Sequence, residues 1–144
     1  MSETTAPRWQ AFTAEGTETT LAASDHVITR DTASGLEYTA AGERHANHDA
    51  AMAACAAVDI AGGGWRAPTR AELFAIADVT RDDPAVDPEA FPFVQARWYW
   101  SSDLTAWSSS AAWGVYFYGG GVKDLRRDYD GFALAVRSVR RPGQ

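Results

Sequence analysis

Cysteine occurs once in the 144 residues of this chain, at Cys55. That excludes an intrachain disulfide and any zinc site built on cysteines. Its neighbours are alanines with Met52 close by, so Cys55 reads as a small buried hydrophobe. Long apolar runs are lacking too: none approaches the length that spans a bilayer, so no membrane insertion is expected. The amino terminus, Met-Ser-Glu-Thr-Thr-Ala-Pro, has neither a basic start nor an apolar stretch, so no signal peptide is expected. The reading is cytoplasmic synthesis, with virion display or a cell-surface position reached by another route. Positive charge is scarce: 13 Lys and Arg against 19 Asp and Glu leave a net charge of −6. Nucleic acid is therefore excluded as a partner, because phosphate binding needs a basic field. The basic residues Arg126, Arg127, Arg137, Arg140 and Arg141 alternate with Asp124, Asp128 and Asp130 and make no clean positive stripe.

What is present fits a globular chain. Hydrophobic residues make up 46% and charged residues 22%, values that exclude disorder. The length suits one domain with one real core. Aromatic residues reach 12%, more than a core of this size needs, so some belong on the surface.

Along the chain, Trp9–Leu21 scatters apolar residues among Thr and Glu and carries no clear period. Val27-Ile28 and Leu36-Glu37-Tyr38 are short strand candidates around Asp31-Thr-Ala-Ser-Gly35, which has turn chemistry. Asn47 is a good N-cap for a helix from His48 to about Asp59, with Met52, Cys55 and Ala56 on its apolar side. Gly62-Gly63-Gly64 ends it. Thr69-Arg70-Ala71-Glu72 is a capping box, in which the hydroxyl caps the amide three residues on and the carboxylate reaches back. It opens a second helix that turns Leu73, Phe74, Ile76 and Ala77 to the core. Residues 80–93, with Pro84, Pro88 and Pro92, read as an ordered irregular loop. Trp98–Ser101, Trp113–Tyr118 and Phe132–Val139 read as strands. Helices first and strands after give an α+β class.

The most informative stretch is Trp98–Arg140. In it Trp113, Val115 and Phe117 alternate with Gly114, Tyr116 and Tyr118, so the two sets point to opposite faces of a strand. One set is buried, which leaves Tyr116 and Tyr118 outward beside Gly119, Gly120 and Gly121. Exposed aromatics among small, adaptable residues are the composition of a binding surface rather than of a reaction centre. Trp100, Trp113, Phe117, Phe132, Leu134 and Val136 are expected to be the buried frame.

The runs Asp31-Thr-Ala-Ser-Gly35-Leu36, Gly63-Gly64-Trp65-Arg66-Ala-Pro68-Thr69-Arg70-Ala-Glu72-Leu73, Tyr99-Trp100-Ser101-Ser102, Ala112-Trp113-Gly114-Val115 and Val136-Arg137-Ser-Val139-Arg140 resemble the Lcl C-terminal family. The resemblance covers about residues 27–141 and implies a C-type-lectin-like fold, two helices packed on a small, mostly antiparallel sheet. Glu37-Tyr38 replaces the family's usual methionine-tryptophan. It makes residues 1–26 a partly ordered N-terminal extension. Within the family, the segment 98–140 resembles the variable proteins of diversity-generating retroelements, with a fixed frame and varied positions. Ala112, Trp113, Val115, Phe117, Gly120, Val122 and Phe132–Arg137 resemble the frame. Gly114, Tyr116, Tyr118, Gly119, Gly121, Asp124, Leu125, Arg127, Asp128, Tyr129, Asp130 and Gly131 resemble the varied set. The fold class also includes the formylglycine-generating enzymes, which use a cysteine pair that Cys55 alone does not supply.

Other chemistry is weakly supported. His45 and His48 stand three apart beside Asp49 without a third ligand at a recognisable spacing. Asp128-Tyr-Asp130-Gly131 copies only part of a calcium loop. Ser108, Ser109 and Ser110 lack a nucleophile frame and a nearby histidine. No catalytic residue, metal or cofactor is therefore expected. The expected ligand-binding residues are Asp103, Thr105, Trp107, Ser108, Gly114, Tyr116, Tyr118, Gly119, Gly121, Asp124, Leu125, Arg127, Asp128, Tyr129 and Asp130. The expected partner is a protein ligand or cell-surface receptor, with a glycan as the second class for an adhesin, and a structural or virion subunit as the third reading.

Overall fold

The computed structural model describes residues 7–139. Residues 1–6 of the expected extension, and Arg140 and Arg141, lie outside the described residues. The elements are β1 (Trp9–Phe12), β2 (Glu18–Thr19), β3 (Ile28–Asp31), β4 (Leu36–His45), α1 (His48–Ala57), a single 3-10 turn (Ile60–Gly62), α2 (Arg70–Phe74), β5 (Trp98–Thr105), β6 (Ser108–Tyr116), β7 (Gly121–Arg126) and β8 (Gly131–Ser138). All eight strands form one sheet in the order β2-β1-β3-β4-β8-β5-β6-β7. Each observed neighbour pair is antiparallel except β5 and β8, which run parallel at Tyr99 and Phe132.

The expected class, α+β with a C-type-lectin-like arrangement of two helices on a small, mostly antiparallel sheet, is corrected by this architecture. Among the described residues α-helix is limited to ten residues in α1 and five in α2, and a large mixed sheet dominates, so the fold is mostly β. The strands that sequence pattern missed are edge or near-edge strands. β7, Gly121–Arg126, is mostly exposed, so its residues show no apolar alternation for periodicity to detect. β1 and β2, in the region without a clear period, pair with each other and join the sheet through β3.

Both faces of the sheet are covered. On one face, Tyr38, Leu134, Val136, Tyr99, Val115 and Phe117 meet Leu73 and Ile76 and the irregular segment carrying Val86, Phe91 and Val94. On the other, Ala133, Ala135, Trp100 and Ala112 meet Ala51 and Cys55 of α1, with Trp65 beside them. Burying both faces explains why β8 reads as a continuous apolar run rather than an alternating one.

The helices follow their caps. The Asn47 side chain accepts from the Ala50 amide, and Thr69 and Glu72 form the reciprocal capping box. The buried residues of α1 are His48, Ala51 and Cys55; of the expected Met52, Cys55 and Ala56, Cys55 is buried, Met52 is half-buried against the core and Ala56 is exposed. α2 ends at Phe74, and Phe74 is exposed while Leu73 and Ile76 are buried.

An ionic node ties the β3–β4–β8 half together. The Glu37 carboxylate is nearly inaccessible and accepts from Arg30 Nε at 3.0 Å and from Arg137 Nε at 2.8 Å. Arg137 also donates to the carbonyls of Ala61 at 2.8 Å and Gly63 at 2.6 Å, and its guanidinium lies 4.3 Å over the Trp65 ring. The turn it grips, Ala61–Gly64, has positive φ at all four positions, which explains its glycines.

Candidate functional site

Strand β6 decides where the outward aromatics stand. Val115 and Phe117 are fully buried, whereas Tyr116 is 40% exposed and Tyr118 57%. Their rings lie 6.2 Å apart at 42°. The chain beyond β6 is held by the irregular segment: Phe117 N donates to Arg97 O at 3.0 Å, Ala85 N to Phe117 O at 2.7 Å and Gly119 N to Asp82 O at 2.9 Å. The Tyr116–Gly121 end is therefore an exposed aromatic pair on a hydrogen-bonded base.

Beside it opens a groove of about 670 Å³ lined by Trp98, Tyr116, Gly131 and Phe132, with Gln95, Glu43, Arg44, Arg97 and Asp130 around them. The Trp98 indole is bedded on two glycines. A Cβ at Gly114 would stand 2.5 Å from the Trp98 ring and closer still to Tyr99 O. A Cβ at Gly131 would stand 2.7 Å from Trp98 and 2.6 Å from Trp100 Nε1. Real side-chain carbons do not approach so closely, so only glycine lets these strands carry that indole. The Trp98 and Trp100 rings meet edge to face at 5.3 Å. Their indole N–H groups are buried without a hydrogen-bond partner among the described residues.

The expected ligand-binding residues separate into three groups. Tyr116, Tyr118, Gly119 and Gly121 stay together at the far end of β6, and Asp130 joins them as part of the groove wall. Asp103, Thr105, Trp107 and Ser108 belong to the β5–β6 hairpin end. Eight residue-to-residue rises along β6 separate Ser108 from Tyr116, roughly 26 Å at strand rise, so these residues do not form one surface with the tyrosines. There Trp107 is 67% exposed and packs edge to face on Trp113 at 5.7 Å. Asp103 accepts from the Arg70 amide at the start of α2, at 2.6 Å, and buried Thr105 donates to Ser108 O at 2.8 Å. The third group lies along β7 and its following turn. Asp124 is exposed opposite Trp113, Leu125 packs onto the α1-side core, and Tyr129 is exposed.

Several expected positions are corrected by their surroundings. Gly114 is buried under Trp98 rather than exposed, and Gly131 of the varied-type set is also buried. Trp113, expected to be buried, is half-buried and covered by Arg70 at 4.4 Å. Arg127 and Asp128 are engaged within the chain: Arg127 pairs with Asp49 of α1, and Asp128 with Arg126 at 2.6 Å. Asp130 pairs with Arg44 at 3.3 Å. Asp128 and Asp130 thus face different arginines.

Titratable groups near the site are shifted for physical reasons. Burial lowers the His48 imidazole from its ordinary 6.5, the Ser101 carbonyl opposes that, and Arg127 adds to the lowering. Burial pushes the Cys55 thiol up to about 12, so it carries no nucleophilic thiolate near neutrality. Hydrogen bonding to Arg66 holds the Glu72 carboxyl below its usual value. Among the described residues no three His, Cys, Asp or Glu side chains gather as a metal-binding set. His45 Nε2 instead lies 2.6 Å from Ala41 O, and His48 faces Ser101 and Arg127. No helix among the described residues is long and apolar enough to cross a membrane.

Sequence reasoning missed Trp98, Glu43, Arg44, Gln95 and Arg97 as groove residues. They come from separate segments that only the parallel β5–β8 pairing and the β4–β8 register bring to Gly131. The family model described as Lcl C-terminal domain matches residues 27–140. No curated protein matches the chain.

Proposed function

The chain belongs to the Lcl C-terminal domain family, and on that footing we propose that it is a ligand-binding protein whose surface is centred on Tyr116, Tyr118 and the Trp98 groove. The observation that carries this reading is the exposed tyrosine pair on a backbone fixed by hydrogen bonds. Tyrosine gives large contact area at low entropic cost, and a rigid base limits the ordering penalty of association. A protein or cell-surface receptor fits best, because exposed aromatics at a fixed surface suit protein partners. Binding rather than catalysis agrees with an inert Cys55 and with Ser108 and Ser110 bonded to each other at 2.7 Å.

The finer reading is a display protein diversified by a retroelement. Its support is that Tyr116, Tyr118, Gly119, Asp124, Asp128 and Tyr129 are exposed while Val115 and Phe117 are not. A core position penalises most substitutions and an exposed one does not. The test is the DNA beside the gene. A near-copy of the 3′ end differing almost only at adenines, close to a reverse-transcriptase gene, supports the reading. Differences should fall in the exposed codons and spare Gly114 and Gly131. Absence of the copy reduces the protein to an undiversified binding module of its family. A copy whose differences strike Val115, Phe117 or Gly114 places the binding surface elsewhere.

A second reading, a carbohydrate-binding adhesin, is favoured by the groove itself, where an indole and a phenol stand among charged and amide side chains. Glycan-array binding lost on Trp98→Ala, with protein partners unbound, would favour it.

A further inference from the structure

His48 is the first residue of α1 and is only 3% exposed. Its Nε2 donates to Ser101 O on β5 at 2.8 Å, which assigns the ring hydrogen to that nitrogen. Nδ1 is left as an acceptor, and Arg127 Nε donates to it at 3.1 Å. The same arginine donates to Ser109 O at 3.0 Å and pairs with Asp49 of α1. Backbone bonds close the assembly: His48 N donates to Arg127 O at 2.9 Å, and Arg127 N donates to Ser110 O at 2.8 Å. Every contact here is satisfied by a neutral imidazole and by no other protonation state. A second ring proton would point from Nδ1 at an N–H that already points at it.

The charged groups around the ring decide the balance. Arg127, from the β7–β8 turn, opposes an imidazolium, and Asp49, from α1, favours one. β5 presents the uncharged Ser101 carbonyl and the Trp100 ring, which meets His48 edge to face at 5.1 Å. The positive end of the α1 dipole opposes the extra charge as well.

We propose that His48 is an acid-sensitive latch: neutral, it fixes Arg127 and with it the 127–130 turn; protonated, it releases that turn. The turn leads from Arg127 through exposed Tyr129 to Asp130 on the groove wall. Resting on the proposed binding surface, the latch would present the groove wall in order near neutral pH and loosen it in acid, a regulation suited to a ligand that must be let go. Burial depresses the imidazole, so its contribution to stability is full above the ordinary 6.5 and is lost as pH falls from there toward the folded value.

The test needs no ligand, so its failure is separate from failure of the binding reading. Hydrogen exchange of the His48 and Arg127 amides is measured at pH 7.5 and pH 5 and corrected for intrinsic rates. Protection of both should be lower at pH 5 than at pH 7.5, because the released ring takes up a proton that the buried, latched ring disfavours. Amides of the β4–β8 pairing serve as the unchanged reference. In His48→Gln, whose amide offers a donor and an acceptor without titrating, the pH dependence should vanish. Equal acid loss in His48→Gln and the parent overturns the proposal, since another group is then responsible. Should that variant not fold, the imidazole of the parent is titrated by NMR. Titration below 6.5 together with shifts of residues 127–130 supports the latch, and titration without such shifts overturns it.

Discussion

Glycine serves opposite purposes at the two ends of the candidate surface. At Gly114 and Gly131 its missing side chain admits the Trp98 indole, and any Cβ would overlap the ring. At Gly119 nothing lies within 4 Å, and the residue is there for a backbone at φ +93°. The first pair sets the position of a half-buried aromatic floor, whereas the second only reverses the chain beside exposed tyrosines. Strands β6 and β8 and the turn after β6 thus differ in what they tolerate: the strand glycines are fixed by volume, the turn glycine by a single torsion. The proposed diversification relies on that arrangement, with rigid frame and permissive rim in direct contact.

The comparison is broken most severely at the frame. Trp100→Ala, at a fully buried indole, should cost about 3–5 kcal/mol in chemical denaturation. Glu37→Ala should cost less, about 1.5–3 kcal/mol, because the Arg30 and Arg137 it leaves without their shared carboxylate are partly open to water. A loss under about 1 kcal/mol at both would show that the frame does not depend on these groups.

Next in size is the contrast between glycines. Gly114→Ala should cost about 3 kcal/mol through forced overlap, while Gly119→Asn, which keeps access to a left-handed backbone, should cost about 1 kcal/mol or less. Equal losses would remove the distinction between volume and torsion.

A smaller effect concerns the capping box. The Glu72 carboxyl is depressed first by its hydrogen bond to Arg66, with Nη1 and Oε1 2.6 Å apart. A depressed carboxyl stabilises the fold above its ordinary value of 4.5 and loses that contribution as pH falls through the folded value. Melting temperature should therefore decline more steeply below pH 4.5 in the parent than in Glu72→Gln. Parallel profiles would show that this pair is fully screened by solvent.

The smallest expected change sharpens the comparison. Tyr116→Ala and Tyr118→Ala should each alter stability by about 1 kcal/mol or less, as for exposed sites. Loss of binding to an identified ligand without loss of melting temperature would locate the tyrosines on the surface that binds.

Local signals were legible wherever a short stretch carries its own physics. The Asn47 cap, the Thr69–Glu72 capping box, the Asp31–Gly35 turn and the Val115, Tyr116, Phe117, Tyr118 alternation all stand as the sequence suggests. The exposed strand β7 and the short β1 and β2 were not legible, because pairing rather than burial makes them strands.

By itself, the sequence determined the caps, the turns, the outward tyrosines and the family signature, since each depends on neighbours within a few residues. Tertiary structure alone decided the class, because eight strands joined into one sheet outweigh two short helices. It also decided which members of the expected site meet. The hairpin residues Asp103–Ser108 are carried away along β6, while Glu43, Arg44 and Arg97 are brought to Trp98 by strand order. Gly114 and Gly131 look like spare positions in the chain, and only a packed indole makes them obligatory. The reason is range: periodicity and capping act along the chain, whereas register, volume and ion pairing act between segments that meet only when the sheet has formed.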